Sequence, residues 1–333
     1  MVKITDVARR AGVSPSTVSY ALSGKRPISD ETRRRVQAAV RELGYRPHAR
    51  GAAGAGSRVL ALAVPMRSGV HVPVVTQFAV AVATAARAHD HDVLLLTQGE
   101  GVEGIRRVAE TGPADGLVVM DVQLQDPRLP LLRALPLPSV LIGVPAEPDG
   151  LTCVDLDFGA AGELCVDHLV RLGHRTVALV GSPPEVYVRR TAFARRLVQG
   201  FTAAADRHRI GSTVHPCAPG RGAARVIAER LLREQPTLTG VVVHNEPLID
   251  PLIDAFAELG VRIPDDLSLT AVCPAPAAAS ARVPLTSVTV PSAELGTRAV
   301  HLLVRKMSGV PAPAVTLLAP RLTERASTGP RPA

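Results

Sequence analysis

Residues 3–24, KITDVARRAGVSPSTVSYALSG, constrain this chain more than any other stretch. Ile4, Val7, Ala8 and Ala11 recur at helical spacing, with Arg9 and Arg10 outside that stripe. Gly12 follows as a natural left-handed stop. Ser14 then offers an N-cap hydroxyl, and Pro15 suits the first position of a second helix. In that second helix Val18, Ala21 and Leu22 share one face, while Ser16, Ser19, Tyr20 and Ser23 share the other. The spacing predicts a helix-turn-helix. Its outward face is short, polar and free of carboxylates, as an element entering a DNA major groove must be. A plain helical hairpin packed on its own domain is the bland alternative, and the charge distribution argues against it.

The formal net charge is +8, and it is concentrated. Residues 1–50 hold eleven lysines and arginines against four acidic residues, a surplus of seven that leaves only one for the remaining 283 residues. Such local concentration is the footprint of phosphate binding with counterion release. A hydrophobic content of 46% supports a sizeable core. No apolar run approaches the roughly 18 residues of a membrane span, and the N-terminus does not read as a signal peptide. Cys153, Cys165, Cys217 and Cys273 are far apart and form no CxxC pair. They read as reduced, buried residues of a cytoplasmic protein, with no zinc site and no disulfide framework.

A third helix is expected from the Ser29 cap to about Leu43, with Val36, Val40 and Leu43 inward and Gly44 as its stop. YRPHARGAAGAGSR, residues 45–58, follows with Pro47, Gly51, Gly54 and Gly56, and reads as a linker. The expected organisation is a headpiece at 1–46, a hinge or linker at 47–57 and a larger domain at 58–330. From Val59 onward, strands are expected at 59–64, 92–96, 116–120, 138–142, 152–155, 176–181, 239–243 and 267–272, then near 287–290 and 314–318. Helices are expected near 74–88, 101–110, 158–172, 190–206, 221–234, 250–259 and 292–307. Short apolar strands alternating with helices predict parallel sheets covered on both faces, here in two similar lobes. Ligands of such folds bind beyond the carboxyl ends of the strands.

The sequence as a whole resembles the LacI/GalR family of bacterial transcription regulators. The resemblance is most specific in ITDVARRAGVSPSTVSYALSG and ISDETRRRVQAAVRELGYRP, and it continues through VDLDFGAAGELCVDHLVRLGHRTVALVG, GVVVHNEPLIDPLIDAFAELGVRIPDDLSL, PLTSVTVPSAELGTRAVHLLV and APRLTERAST. It implies an all-α helix-turn-helix headpiece joined to an α/β two-lobed effector domain like that of periplasmic binding proteins. The implied partners are double-stranded operator DNA, a small-molecule effector and a second copy of the chain, as a dimer or tetramer. It implies no cofactor. The recognition helix runs from Pro15 to about Ser23. Pro15, Ser16 and Tyr20 stand where base edges are read, whereas Thr17, Ser19 and Tyr45 stand where the backbone is held. Tyr45 reads equally well as a core aromatic closing the third helix. Thr5, Ser14, Lys25, His48 and Arg50 complete the candidate DNA contacts.

The chain departs from the family in two places. At 47–57, Gly54 stands where relatives carry the leucine of a hinge helix that wedges into the minor groove. Glycine has no side chain to insert and costs about 1 kcal/mol of helix propensity against alanine. In the effector domain, MRSGVHVPVVTQF carries no aromatic before Phe78, Trp is absent, and aromatics make up 2% of the chain. The sugar-like effector implied by the resemblance is therefore weakly supported. The candidate effector contacts are Arg67, Ser68, Arg190, Arg196, Asn245, Glu246 and Cys273. The three arginines among them read more readily as solvated or salt-bridged residues than as ligand contacts. Asp155 and Asp157 look like a metal pair but are better read as capping and interface residues at a strand-to-helix junction.

The leading reading is an effector-controlled, sequence-specific regulator, most simply a repressor, on a pseudo-palindromic operator. One alternative is a constitutive DNA-binding regulator whose sensor cleft has decayed. Another is an enzyme fused to a headpiece, against which stands the lack of GxxxxGK[ST], HExxH and GxSxG; GAAGAG at 51–56 follows no strand. The charge asymmetry predicts steeply salt-dependent DNA binding, each neutralised phosphate adding about −0.9 to the slope of log K against log salt. A chain starting near Ser57 is expected to stay folded and to lose all DNA binding in a gel-shift assay. A truncated protein that still shifts duplex DNA would refute the headpiece assignment.

Overall fold

The computed structural model describes residues 4–23, 28–43, 57–64, 72–97 and 101–332. At the N-terminus, α1 (Ile4–Ala11), α2 (Pro15–Ser23) and α3 (Asp30–Leu43) enclose a small core of Val7, Ala8, Ala11, Val18, Val36 and Ala39. Gly12 takes φ +65°, so the chain reverses without a Cβ penalty. The Ser14 hydroxyl accepts from Thr17 N at 3.1 Å and the Ser29 hydroxyl from Thr32 N at 3.3 Å, which caps α2 and α3. Arg35 of α3 reaches back to the carbonyls of Ala11 and Gly12, placing a cation at the negative end of α1. Except for Ser57, the expected linker at 47–57 lies outside the described residues.

The larger part begins with β1 (Val59–Ala63), α4 (Val72–Arg87), β2 (Asp92–Leu96), α5 (Val102–Thr111), β3 (Gly116–Val119), α6 (Leu129–Ala134), β4 (Ser139–Ile142) and β5 (Cys153–Leu156). It continues with α7 (Phe158–Arg171), β6 (Thr176–Gly181), α8 (Pro184–Val188), α9 (Ala192–His208), β7 (Gly211–Pro216), α10 (Arg221–Glu234), β8 (Gly240–Val243) and α11 (Ile249–Glu258). The last elements are β9 (Ser268–Cys273), α12 (Ala275–Ser280), β10 (Thr286–Thr289), α13 (Ser292–Met307), β11 (Val315–Leu318) and β12 (Leu322–Thr323). The first sheet has the order β11-β5-β4-β3-β1-β2 and is parallel throughout. The second has the order β12-β10-β9-β8-β6-β7, with only β12 antiparallel. Each sheet is one lobe. The chain crosses between lobes three times: after β5, after β10, and between β11 and β12.

The strands β3, β4, β5, β8 and β9 are buried along their whole length, as sheets covered on both faces require. The strand–helix alternation expected from the sequence is present. Unforeseen are the edge strand β7, the two-residue strand β12 and the short helices α6, α8 and α12. The segment GSTVHP of β7 has no apolar run, because an edge strand lies half in water and tolerates Gly211 and Pro216 at its ends. The helix expected at 190–206 begins later, at Ala192, because Arg190 takes φ +57° and separates α8 from α9.

After β12 the chain is sewn into the second lobe. The buried Ser327 hydroxyl accepts from Thr286 N and donates to Leu269 O, and Gly329 O meets His174 Nε2 at 3.2 Å. Helices α7 and α9 pack closely against each other. A Cβ on Gly162 would lie 2.5 Å from Leu197 O, and one on Gly200 would overlap the Gly159 carbonyl oxygen. Gly200→Ala is therefore expected to push the helices apart and destabilise the domain by about 1–3 kcal/mol or more, read from urea unfolding. An alanine variant as stable as the parent would show that the two helices separate freely.

Candidate DNA interface and interlobe cleft

On the headpiece, Thr5, Ser14, Pro15 and Ser16 are exposed, and Thr17, Ser19 and Tyr20 are half-buried. The Thr17 hydroxyl lies 2.8 Å from that of Ser14, inside the cap of α2. Arg9 is paired with Asp6 at 2.8 Å and Arg10 with Glu42 at 2.7 Å, both exposed. The start of α2 thus presents hydroxyls, an N-terminal turn and no carboxylate, while the nearby cations are tethered along α1. Lys25, Tyr45, His48 and Arg50 lie outside the described residues.

The carboxyl ends of β3, β4, β6, β8 and β9 face the space between the lobes, and the candidate effector residues behave differently there. Asn245 is buried, and its amide nitrogen donates to Gly181 O at 3.1 Å and Cys217 O at 2.7 Å. It therefore ties together the ends of β6 and β7. Glu246 is half-buried at the start of the 3₁₀ turn 246–248. Cys273 is buried at the end of β9, and burial, aided by the charge of Glu246, pushes its thiol up to about 12. Arg190 is exposed. Arg196 is half-buried and donates through Nη2 to the carbonyls of Val144 (3.1 Å) and Pro145 (3.2 Å) in the other lobe. Arg67 and Ser68 lie outside the described residues.

Sequence reasoning missed two features of the cleft. The first is an aromatic cluster. Phe158 opens α7, Phe193 lies in the first turn of α9, and His244 follows β8; the ring centroids are 5.5–5.7 Å apart. Burial holds the His244 imidazole neutral, down at about 4. The only advance signal was that each residue sits at a strand or helix terminus. The second is the buried pair Asp126–Arg128, 2.6 Å apart. Burial alone would raise the Asp126 carboxyl, but the hydrogen bonds and charge of Arg128 hold it below its ordinary value.

The two aspartates at the end of β5 separate in role. Asp157 Oδ1 accepts from Ala160 N at 3.0 Å and caps α7. Asp155 is buried; Oδ1 accepts from Leu156 N at 2.9 Å and Oδ2 has no hydrogen-bond partner. Among the described residues no group of three or more histidine, cysteine, aspartate or glutamate side chains is placed to hold a metal ion.

Two family descriptions match the chain: "Bacterial regulatory proteins, lacI family" over residues 3–48, and "Periplasmic binding protein-like domain" over residues 166–328. The HTH-type transcriptional regulator AglR of Rhizobium meliloti is 30% identical over 99% of this chain and 95% of its own. The chain belongs to the LacI family. The HTH-type transcriptional regulator MalR of Streptomyces coelicolor is a further relative of this LacI-family chain, 27% identical over 99% of the chain and 97% of its own. Among solved structures, the lac repressor dimer bound to operator and the anti-inducer ONPF has a TM-score of 0.70 at 23% identity, covering 98% of this chain and 99% of that one. The complex of the regulator CelR with cellobiose has a TM-score of 0.68 at 23% identity, covering 98% and 100%. These likenesses show the same two-lobed fold. No described helix is long and apolar enough to cross a membrane.

Burial pushes Asp155 up to about 7 from an ordinary 3.8. The folded protein then keeps a proton that the unfolded chain releases between about pH 4 and pH 7, so this group's contribution to stability falls as pH rises through that window. Asp155→Asn should match the parent near pH 4 and exceed its stability at pH 8, by on the order of 4 kcal/mol as an upper bound. Urea midpoints at several pH values test this; parallel pH profiles would show that Asp155 ionises normally.

Proposed function

We propose that this LacI-family protein is a cytoplasmic transcriptional regulator and not an enzyme. As a homodimer it represses genes by binding a pseudo-palindromic operator through two α2 helices. The carrying observation is the basic helix-turn-helix, capped at Ser14 and free of carboxylates on α2, in one chain with the two-lobed fold, aligned almost end to end with an HTH-type regulator. The two-lobed part is the effector-binding and dimerising domain. Its ligand is small and sugar-like, a reading supported by one structural relative that is a complex with cellobiose. Asn245, Glu246 and Cys273 lie around the same strand ends.

One observation favours a second reading, a constitutive regulator. The donors of Asn245 and the Nη2 of Arg196 are committed to protein carbonyls. A thermal-shift screen of metabolites separates the two, since a bound ligand raises the melting temperature by mass action and a decayed cleft gives no response.

Genomic occupancy mapping followed by footprinting tests the primary reading. Two half-sites related by approximate two-fold symmetry are expected. Ser16→Ala and Tyr20→Ala should change base preference within a half-site by about 1–3 kcal/mol of discrimination each. Thr17→Ala should weaken all sequences alike. A single asymmetric footprint, or a monomer in sedimentation, would overturn the reading.

A further inference from the structure

The two lobes are tied together at a place that none of the three crossings explains. The loop after β3 lies against the segment joining α8 to α9. Ala192 N donates to Val122 O and Leu124 N to Arg190 O, each at 2.9 Å, forming an antiparallel bridge that centres on Gln123 and Thr191. Arg189 stands 4.0 Å from Asp121, and Arg196 reaches Val144 O and Pro145 O just beyond. Every one of these contacts joins the first lobe to the second.

The crossings leave the first sheet from β5 and β11 and meet the second at β6, β10 and β12, the first of them through α7. The bridge springs from the loops after β3 and β4, two strands and one strand in from β5, and from the segment beyond β6. It adds a non-covalent cross-lobe contact to the crossing that passes through Phe158, whose ring lies 5.6 Å from that of Phe193, two residues past Thr191.

The first-lobe half of the bridge is rigid. Asp126 accepts from Gln123 N at 3.1 Å, and Arg128 Nη2 donates to Met120 O at 3.0 Å and Asp121 O at 3.2 Å, so the buried pair staples the loop from inside. Leu124 O accepts from Ala146 N at 2.9 Å, joining this loop to the one that Arg196 holds. On both sides the bridge is entered through a non-glycine residue in the left-handed region, Asp121 at φ +53° and Arg190 at φ +57°. Such residues persist where surrounding contacts over-determine them. A two-rung bridge is too short to be stable alone, so its persistence depends on how the surrounding lobes are arranged.

We propose that this cross-lobe strand pair is a releasable latch that holds the two lobes closed through protein contacts alone. Any ligand that changes the angle between the lobes acts by engaging or releasing it, through its differential affinity for the two arrangements. The latch rests on the two-lobed fold and not on the identity of an effector, so its test and that of the regulatory reading fail separately.

Hydrogen exchange on the full chain, with no added ligand, tests the latch. The amides of Leu124 and Ala192 should be protected in the parent protein. Ala192→Pro removes one rung and suits the site: Ala192 is the first residue of α9, where proline is tolerated, and Thr191 before it already has φ −58° and ψ 129°. Exchange at Leu124 should rise at least tenfold, with amides of β3 and β6 unchanged. Unprotected Leu124 in the parent, or an unchanged rate in the variant, overturns the latch.

If the proline disturbs α9 itself, the pair Gln123→Cys and Thr191→Cys decides. These positions form a non-hydrogen-bonded pair, whose short Cα separation accommodates a disulfide. The native cysteines are buried. Rapid cross-linking of the folded protein under mild oxidation, with Leu124 protected once oxidised, supports the latch. Failure to cross-link overturns it.

Discussion

The central strands of both sheets are buried on both faces, so neither face of either sheet's centre can meet water. Leu60, Leu62, Val118, Val140, Val154 and Leu156 point into the layer with α4 and α13, while Ala61, Ala63, Leu117, Val119, Leu141 and Cys153 face the layer with α5 and α6. The second lobe repeats this, with α7 and α9 on one side and α10 to α12 on the other. Covering four faces with one chain explains why α13 returns to the first lobe before β11 and β12 finish both sheets.

That arrangement decides what polar residues near the cleft can do. Asn245, Arg196 and Asp126 sit where strands stop and backbone carbonyls and amides are left unpaired, and each satisfies some of them. Buried polar groups must find partners, so residues that look ligand-binding in sequence become the ties that hold loop to loop and lobe to lobe. Asp155 is the counter-example, with one carboxylate oxygen left without a partner in the interior. The headpiece obeys simpler rules: its core is six small side chains, and its cations lie outside that core.

The helix-turn-helix was legible because its signals are local. Ser14, Pro15 and Gly12 act on their immediate neighbours, and the stripe of Val7, Ala8 and Ala11 is a one-helix pattern. The alternation of strands and helices was legible for the same reason, with three or four apolar residues marking each of the strands β3, β6 and β9. The edge strand β7 was not, because it buries one side chain fully and lacks the pattern. Phe158, Phe193 and His244 could not be grouped either, since they belong to three elements brought together by the packing of α7 on α9 at Gly162 and Gly200.

The sequence by itself determined the family, the class of both parts, the position of the second headpiece helix and the concentration of charge in the first fifty residues. Each depends on neighbours along the chain, on caps, periodicity and composition, and needs no long-range contact. Only the tertiary structure decided that Arg196 grips the opposite lobe, that Asn245 is used up between β6 and β7, that Asp126 and Arg128 form a buried staple, and that Gln123 meets Thr191. These are pairings of hydrogen-bonding groups across dozens of residues. Which donor meets which acceptor is set by how the sheets and helices pack, because a buried group bonds with whatever that packing places within its reach.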